Sequence, residues 1–351
     1  MKITRRDFIK SSIILGGSLL FPHRLLYAAK EGEQWYPAYG KLEQAGDLAA
    51  RVEQAYSIFE KCELCPRQCG VNRLKGEQGF CRAPAKVMVY AADPHFGEEI
   101  SLTGRKGSGT IFFSNCNLRC VFCQNWPIAH MGYGKEIEDE ELAEMMIHLQ
   151  KLGCHNINLV TPTHVMPNIL NAARIAFKKG LHLPLVYNTS GYERFDIVKM
   201  LDGAVDIYLP DMKFMDADQA GKYLGGASDY PDVAKKAIME MHRQVGVHEV
   251  DSKGMAVRGV MIRHLVMPNQ VAGTEKFVQW VAESLPKSTY VNIMPQYRVE
   301  YKAYEYPKIW RRITVEEYLE AMRWAEEHGL TNLDPRSIDM RNLYREHEGK
   351  G

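Results

Sequence analysis

Seven of the eight cysteines fall into two groups, Cys62, Cys65, Cys69 and Cys81, then Cys116, Cys120 and Cys123. The second group has C-x3-C-x2-C spacing. Thiolates at such short intervals hold iron–sulfur clusters, and a 4Fe–4S cube usually takes four of them. Three thiolates leave one iron without a protein ligand, open to a small molecule with an amino-carboxylate chelate. A structural zinc site is instead closed by four ligands, and His130 is the nearest candidate for a fourth. The first group reads C-x2-C-x3-C-x11-C. Four thiolates there fit a structural zinc site, a second iron–sulfur cluster or, in an exported protein, disulfides. All three readings stay open. Cys154 stands alone and reads as a buried free thiol, and His155 beside it as a capping or surface residue.

These groups need elements to position them. From Gly107 onward, short apolar runs alternate with longer amphipathic ones, the pattern of a parallel α/β fold. Predicted strands are Thr110–Ser114, Ile157–Val160, Leu183–Asn188, Ala204–Leu209, Val257–Val266 and Tyr290–Met294. Predicted helices are Asp139–Leu152, Pro167–Lys179, Tyr192–Leu201, Asp232–Gln244, Gly273–Ser284 and Thr314–Glu327, the last opening on a capping-box pattern. A helix over Lys41–Phe59 precedes them. Six such units give a doubly wound sheet or a barrel, and in barrels chemistry collects at the C-terminal strand ends. Those ends carry Cys116, Thr161 to His164, Thr189 to Gly191, Asp211 to Lys213, Met267 to Asn269, with Arg263 and His264 inside the fifth strand, and Pro295 to Tyr297. Together they read as one mouth lined for a polar ligand. Tyr297, Tyr301, Tyr304 and Tyr306 line that mouth or pack the C-terminal segment. The charged stretch Arg341–Gly351 reads as solvated.

The cysteine motif, with Phe122 just before its third cysteine and placed after the first strand, resembles the signature of the radical S-adenosylmethionine (SAM) superfamily. The resemblance covers about Gly107 to Trp310 and implies a partial (β/α)6 TIM-type barrel following an N-terminal cysteine-rich module. It implies that Cys116, Cys120 and Cys123 hold a catalytic 4Fe–4S cluster. It further implies that SAM is reductively cleaved there, with electrons from a low-potential donor, to a 5′-deoxyadenosyl radical that abstracts hydrogen. Within the superfamily the chain is similar to the pyruvate formate-lyase activating enzymes, whose substrate is a backbone glycine of a glycyl radical enzyme. Asp211-Met212-Lys213 is similar to their Asp-Leu-Lys element, Asn188-Thr189-Ser190-Gly191 to their Thr-Asn-Gly, and Arg263 to Pro268 to their Arg-x-Val-x-Pro. Asn188, Thr189, Asp211, Lys213 and Arg263 are thereby implied to place SAM, and the Phe122 backbone to touch adenine. The Gly-Gly-Glu-Pro element that grips the SAM amino group in that family is absent. Thr161, Thr163 and His164 stand in its place as candidate replacements. The alternatives are a radical SAM enzyme acting on a small molecule, and an electron-transfer iron–sulfur protein without SAM chemistry.

The 351 residues suffice for one large domain or two ordinary ones, and a formal net charge of +1 gives no sign of a nucleic-acid partner. Residues 1–29 hold Thr4-Arg5-Arg6-Asp7-Phe8-Ile9-Lys10 and an apolar run, Ile13 to Phe21, too short to span a bilayer. They resemble a twin-arginine export signal, which implies a periplasmic or membrane-associated protein. SAM and low-potential electrons are cytoplasmic supplies, so a cytoplasmic site stays open. The expected organisation is a helical lead-in over 30–60, a four-cysteine metal-binding module over 61–106, a core over 107–312, and a C-terminal helix and tail over 313–351.

Overall fold

A computed structural model describes residues 35–348, so the twin-arginine segment lies outside the described residues. Nine strands form one mixed sheet: β1 Val87–His95, β2 Ser108–Phe113, β3 Lys135–Ile137, β4 Ile157–Val160, β5 Leu185–Thr189, β6 Ile207–Pro210, β7 Glu249–Val250, β8 Ala256–Leu265 and β9 Tyr290–Met294. The order is β3-β1-β2-β4-β5-β6-β8-β7, with β9 also paired to β8. Six strands, β2, β4, β5, β6, β8 and β9, run parallel. Helices follow each, which gives an open (β/α)6 barrel. β1 and β3 add antiparallel pairs on the β2 side and cover the edge that β2 would otherwise expose.

The helices are α1 Ala38–Ala45, α2 Asp47–Ser57, α3 Ile100–Thr103, α4 Trp126–Ala129, α5 Asp139–Lys151, α6 Met166–Lys178, α7 Phe195–Met200, α8 Ala217–Tyr223, α9 Tyr230–Val245, α10 Thr274–Ser284, α11 Val315–Glu327 and α12 Pro335–Glu348. α6 starts with a proline in its first turn, where a missing N–H costs nothing. It buries Ile169, Leu170, Ala172, Ala173 and Ala176, and each large aliphatic chain so buried contributes about 1.5–3 kcal/mol. Strand alternation sorts the sheet's faces. Tyr187, Tyr208, Val260 and Ile262 pack outward in the main core, and the Tyr208 hydroxyl donates to Gln244 on α9. Val186, Ile207, Leu209, Met261 and Tyr290 pack inward with Leu102 of α3.

One expectation needs correction. The single helix over Lys41–Phe59 is two helices, because Gly46 has φ 84° and ends α1 in a left-handed turn. The stretch from Arg341 is helical up to Glu348, with Asn342, Leu343 and Arg345 exposed as expected of a solvated segment. It belongs to α12, which docks on α11 through Tyr344 edge-on to Tyr318 and an Arg341–Glu326 pair.

Candidate active site

The three-cysteine loop leaves β2 at its C-terminal end. Asn115 and Arg119, each just before a cysteine, have φ of 75° and 53°. Non-glycine residues in that region are held by their surroundings. The Asn115 N–H donates to the Ile128 carbonyl at 3.0 Å, the Arg119 guanidinium to the His130 carbonyl at 3.3 Å, and the His130 ring Nε2 meets the Cys120 carbonyl at 3.1 Å. His130 therefore braces the loop's backbone and is not turned to the thiols. The Leu118 N–H donates to Cys116 Sγ at 3.4 Å. Burial raises the Cys120 thiol above its usual range, and it pushes Cys123 up to about 12 with the neighbouring Cys116 adding to it. Lys213 pulls Cys120 the other way. Such thiols stay protonated until a metal displaces the proton. All eight cysteines are free thiols.

Asn188, Asp211, Lys213 and Arg263 meet on the inner face of adjoining strands. Arg263 Nε donates to Asp211 Oδ1 at 2.8 Å and another guanidinium nitrogen to Asn188 Oδ1 at 2.5 Å. Lys213 Nζ donates to the second Asp211 oxygen at 2.7 Å. Burial would raise the Asp211 carboxyl, but Arg263 and Lys213 outweigh it and hold the group below its usual range. The turn after β5 needs Gly191, at φ 80°, because a Cβ there would collide with the Asp211 carbonyl. The Tyr230 hydroxyl accepts from the Lys213 N–H at 2.9 Å and lies against the Ser190 and Asp211 carbonyls.

The residues in place of Gly-Gly-Glu-Pro are arranged differently. The Thr161 N–H donates to the Asn188 carbonyl at 2.9 Å, at the rim. Thr163 and Thr189 both give their hydroxyls to Glu193, which is 1% exposed. The His164 ring Nε2 meets the Ser114 carbonyl at 2.7 Å, and burial, with Arg73 nearby, lowers its pKa to about 4. Phe122 is packed against Phe214 and Tyr297. Tyr297, Tyr301 and Tyr306 pack on Phe122, Trp126 and Tyr223, while Tyr304 is exposed. Cys154 is buried, and the His155 ring accepts the Lys106 N–H at 3.3 Å.

Several groups escaped the sequence reading. Glu98 accepts from Arg263 at 3.2 Å, and Glu99 from the Asn292 amide at 2.9 Å. Burial pushes Glu98 up to about 7 even with Arg263 opposing it. Arg336 of α12 holds the Gly97 and Glu98 carbonyls. The segment from Gly97 to Thr103 thus reaches from the end of β1 to β8 and β9, and its Leu102 packs inside the barrel near the N-terminal strand ends. No local spacing flags Glu98, because its partner is 165 residues away.

The upstream cysteines sit on the same rim. Cys62, Cys65 and Cys81 are buried and Cys69 half-buried. Arg67, between Cys65 and Cys69, donates to the Asn117 carbonyl at 3.1 Å and to the Leu224 carbonyl at 3.1 Å. Arg73 reaches the His164 carbonyl and Arg194 the Glu63 carbonyl, each at 2.7 Å. Among the described residues, no group of three or more His, Cys, Asp or Glu side chains is arranged to hold a single metal ion. The three-thiol loop fits a cluster by the chemistry of its donor set: three soft sulfurs in one short loop, a backbone N–H directed at one of them, and a lysine close by.

The family model of the radical SAM superfamily matches residues 110–341. An uncharacterized protein of Methanocaldococcus jannaschii is 36% identical over 294 residues, 81% of this chain and 79% of that one. The pyruvate formate-lyase-activating enzyme of Clostridium pasteurianum is 24% identical over 223 residues, 60% of this chain and 84% of that one. A crystal structure of methylornithine synthase aligns with 87% of this chain and 83% of its own at 14% identity and a TM-score of 0.43. With the motif on its strand end, the six parallel strands and a family match over most of its length, this chain belongs to the radical SAM superfamily.

Proposed function

We propose that the chain binds SAM against a cluster held by Cys116, Cys120 and Cys123, and uses it to abstract hydrogen from a substrate. One observation carries this reading: the three-thiol loop and the Asn188–Asp211–Lys213–Arg263 cluster converge at neighbouring strand ends, with Lys213 facing both Asp211 and Cys120. When bound, a 4Fe–4S cluster supplies the electron that splits the SAM sulfonium and yields the 5′-deoxyadenosyl radical. The protein's own part is positioning. Asp211 keeps two cations aligned along the inner wall, and its depressed pKa keeps it charged at neutral pH. Lys213 offers positive charge to thiolates and to a carboxylate. The packed Phe122, Phe214 and Tyr297 wall off water behind the loop, which strengthens every charge interaction inside.

A backbone glycine of a partner enzyme is the first substrate reading, supported by the Asp-Met-Lys and Asn-Thr-Ser-Gly elements and the distant activating-enzyme relative. A small-molecule substrate is the second. The test is anaerobic incubation of cluster-loaded protein with SAM and dithionite. 5′-Deoxyadenosine is expected, and its loss in Cys120→Ala. No 5′-deoxyadenosine from protein with a verified reduced cluster overturns the reading in favour of an electron-transfer protein. A glycyl-radical signal in an added candidate partner would separate the two substrate readings.

A further inference from the structure

The barrel wall beside the Asn188–Asp211–Lys213–Arg263 cluster holds acceptors that no donor of the protein answers. Val186 packs inside the barrel, and Asn158 pairs with it in register, so the Asn158 side chain faces inward too. Asn292 pairs with Arg263 across β9 and β8 and faces the same way. Glu98 and Glu99 enter this layer from the segment after β1. Glu98 lies beside the Asn158 amide and accepts from Arg263, and Glu99 Oε1 accepts from the Asn292 amide. Two buried oxygens are left over, Glu99 Oε2 and Asn158 Oδ1. Their residues are 2% and 0% exposed. The Asn158 amide is not free to turn round. The Thr110 hydroxyl gives its proton to the Ser108 carbonyl at 3.2 Å, so it can only accept from Asn158, which fixes Nδ2 towards it and Oδ1 away. Buried acceptors have donors in folded proteins, and a buried carboxylate needs a cation.

Charge leads to the same place. Asp211, Glu98 and Glu99 all act on Arg263, and Lys213 answers Asp211. Two cations thus face three carboxylates, and burial still lifts the Glu98 carboxyl to about 7. Side-chain exposure falls from 21% at Lys213 to 16% at Arg263 and 10% at Glu98. A ligand entering from the mouth meets Lys213 and Arg263 first and the unanswered acceptors last. We infer that Glu98, Glu99 and Asn158 form the recognition site for a protonated primary amine on a small-molecule substrate. An ammonium brings one positive charge and three N–H donors, which matches one surplus carboxylate and two free acceptor oxygens. This site, which rests on the proposed radical SAM reading, gives that reading its substrate class. A backbone glycine would bring no cation to it. SAM carries an amino group as well, so the test keeps the two sources apart.

Full-length, cluster-loaded protein is titrated anaerobically with n-butylamine at about pH 7.5, where the amine is protonated, and followed by thermal unfolding. 1-Butanol, sodium butyrate, calcium chloride and potassium chloride at matched ionic strength are the controls, each with and without saturating SAM. Expected is a saturable rise in melting temperature with butylamine alone, retained when SAM is bound. In Glu99→Gln, whose side-chain carbonyl keeps the Asn292 bond, the butylamine affinity should fall about tenfold or more. An unchanged affinity in that variant overturns the assignment. Should the variant fail to fold, the wild type decides: a butylamine effect no larger than that of potassium chloride overturns the site. Saturable stabilisation by calcium chloride instead would give the acceptors to a metal ion and overturn the amine. Loss of the butylamine effect once SAM is bound would assign the site to SAM's own amino group and overturn the substrate reading. None of these readouts depends on SAM cleavage, so failure here is distinguishable from failure to form 5′-deoxyadenosine.

Discussion

Asp211 shows how a single residue sets the character of the mouth. Its two oxygens each hold a cation, Arg263 at 2.8 Å and Lys213 at 2.7 Å. SAM carries a sulfonium and an ammonium against one carboxylate. Removing the Asp211 charge leaves Lys213 without its partner and Arg263 with Glu98 alone, beside a cationic ligand. Asp211→Asn should therefore weaken SAM binding by at least about tenfold, or about 1.4 kcal/mol, read by calorimetry on cluster-loaded protein. Unchanged affinity with a lower melting temperature would make the group a purely structural brace. Arg263→Lys should also weaken binding. A lysine cannot span Asp211, Asn188 and Glu98 as the planar guanidinium does.

At the scale of elements, the loops after β4 and β5 are tied by one buried acid. Glu193 accepts the hydroxyls of Thr163 and Thr189, and burial pushes its carboxyl from 4.5 up to about 7. Thr189, at a strand end, alternates with Asn188, so it faces outward where its neighbour faces in. The clamp sets the height of the loops without entering the mouth. Its pH dependence follows from the sign of the shift. The folded pKa lies above the unfolded one, so folding is favoured while the group is protonated, and that contribution is lost as pH rises from about 4.5 to about 7. Glu193→Gln keeps an acceptor for both hydroxyls and removes the titration. The melting temperature of the variant should fall less than that of the wild type between about pH 5.5 and 7.5. Parallel profiles would show that Glu193 is not the group responsible. The capping box on α11 is the simpler case, with Thr314 and Glu317 each holding the other's backbone N–H. Thr314→Ala should cost about 1 kcal/mol in denaturant unfolding and leave SAM binding unchanged.

At the scale of the whole molecule, the cysteine-rich module is seated on the loops that carry the chemistry. Arg67, Arg73 and Arg194 fasten it to loops following β2, β4, β5 and α8. No helix among the described residues is long and apolar enough to cross a membrane. We propose that residues 1–29 direct export of the folded, cluster-loaded protein. Changing Arg5 and Arg6 to lysine should then shift the protein from the periplasmic to the cytoplasmic fraction. An unchanged distribution would show that Arg5 and Arg6 do not direct export and overturn the twin-arginine reading.

The sequence by itself determined the family, the three-cysteine loop and the six strand–helix units, because each rests on local order. Cysteine spacing and apolar periodicity survive in one dimension, and β4 and β9 begin and end where the periodicity puts them. It also placed Asn188, Asp211 and Lys213 at strand ends and Arg263 inside the fifth strand. Their meeting was decided by tertiary structure, since the contact between Arg263 and Asp211 spans 52 residues and depends on β6 and β8 being paired. The folded sheet alone turned Thr189 away from the mouth and turned the ring of His164 onto Ser114. It brought Glu98 onto Arg263 and buried Arg73 among thiols. Burial, and the partner that a buried charge must find, arise only when distant segments pack together.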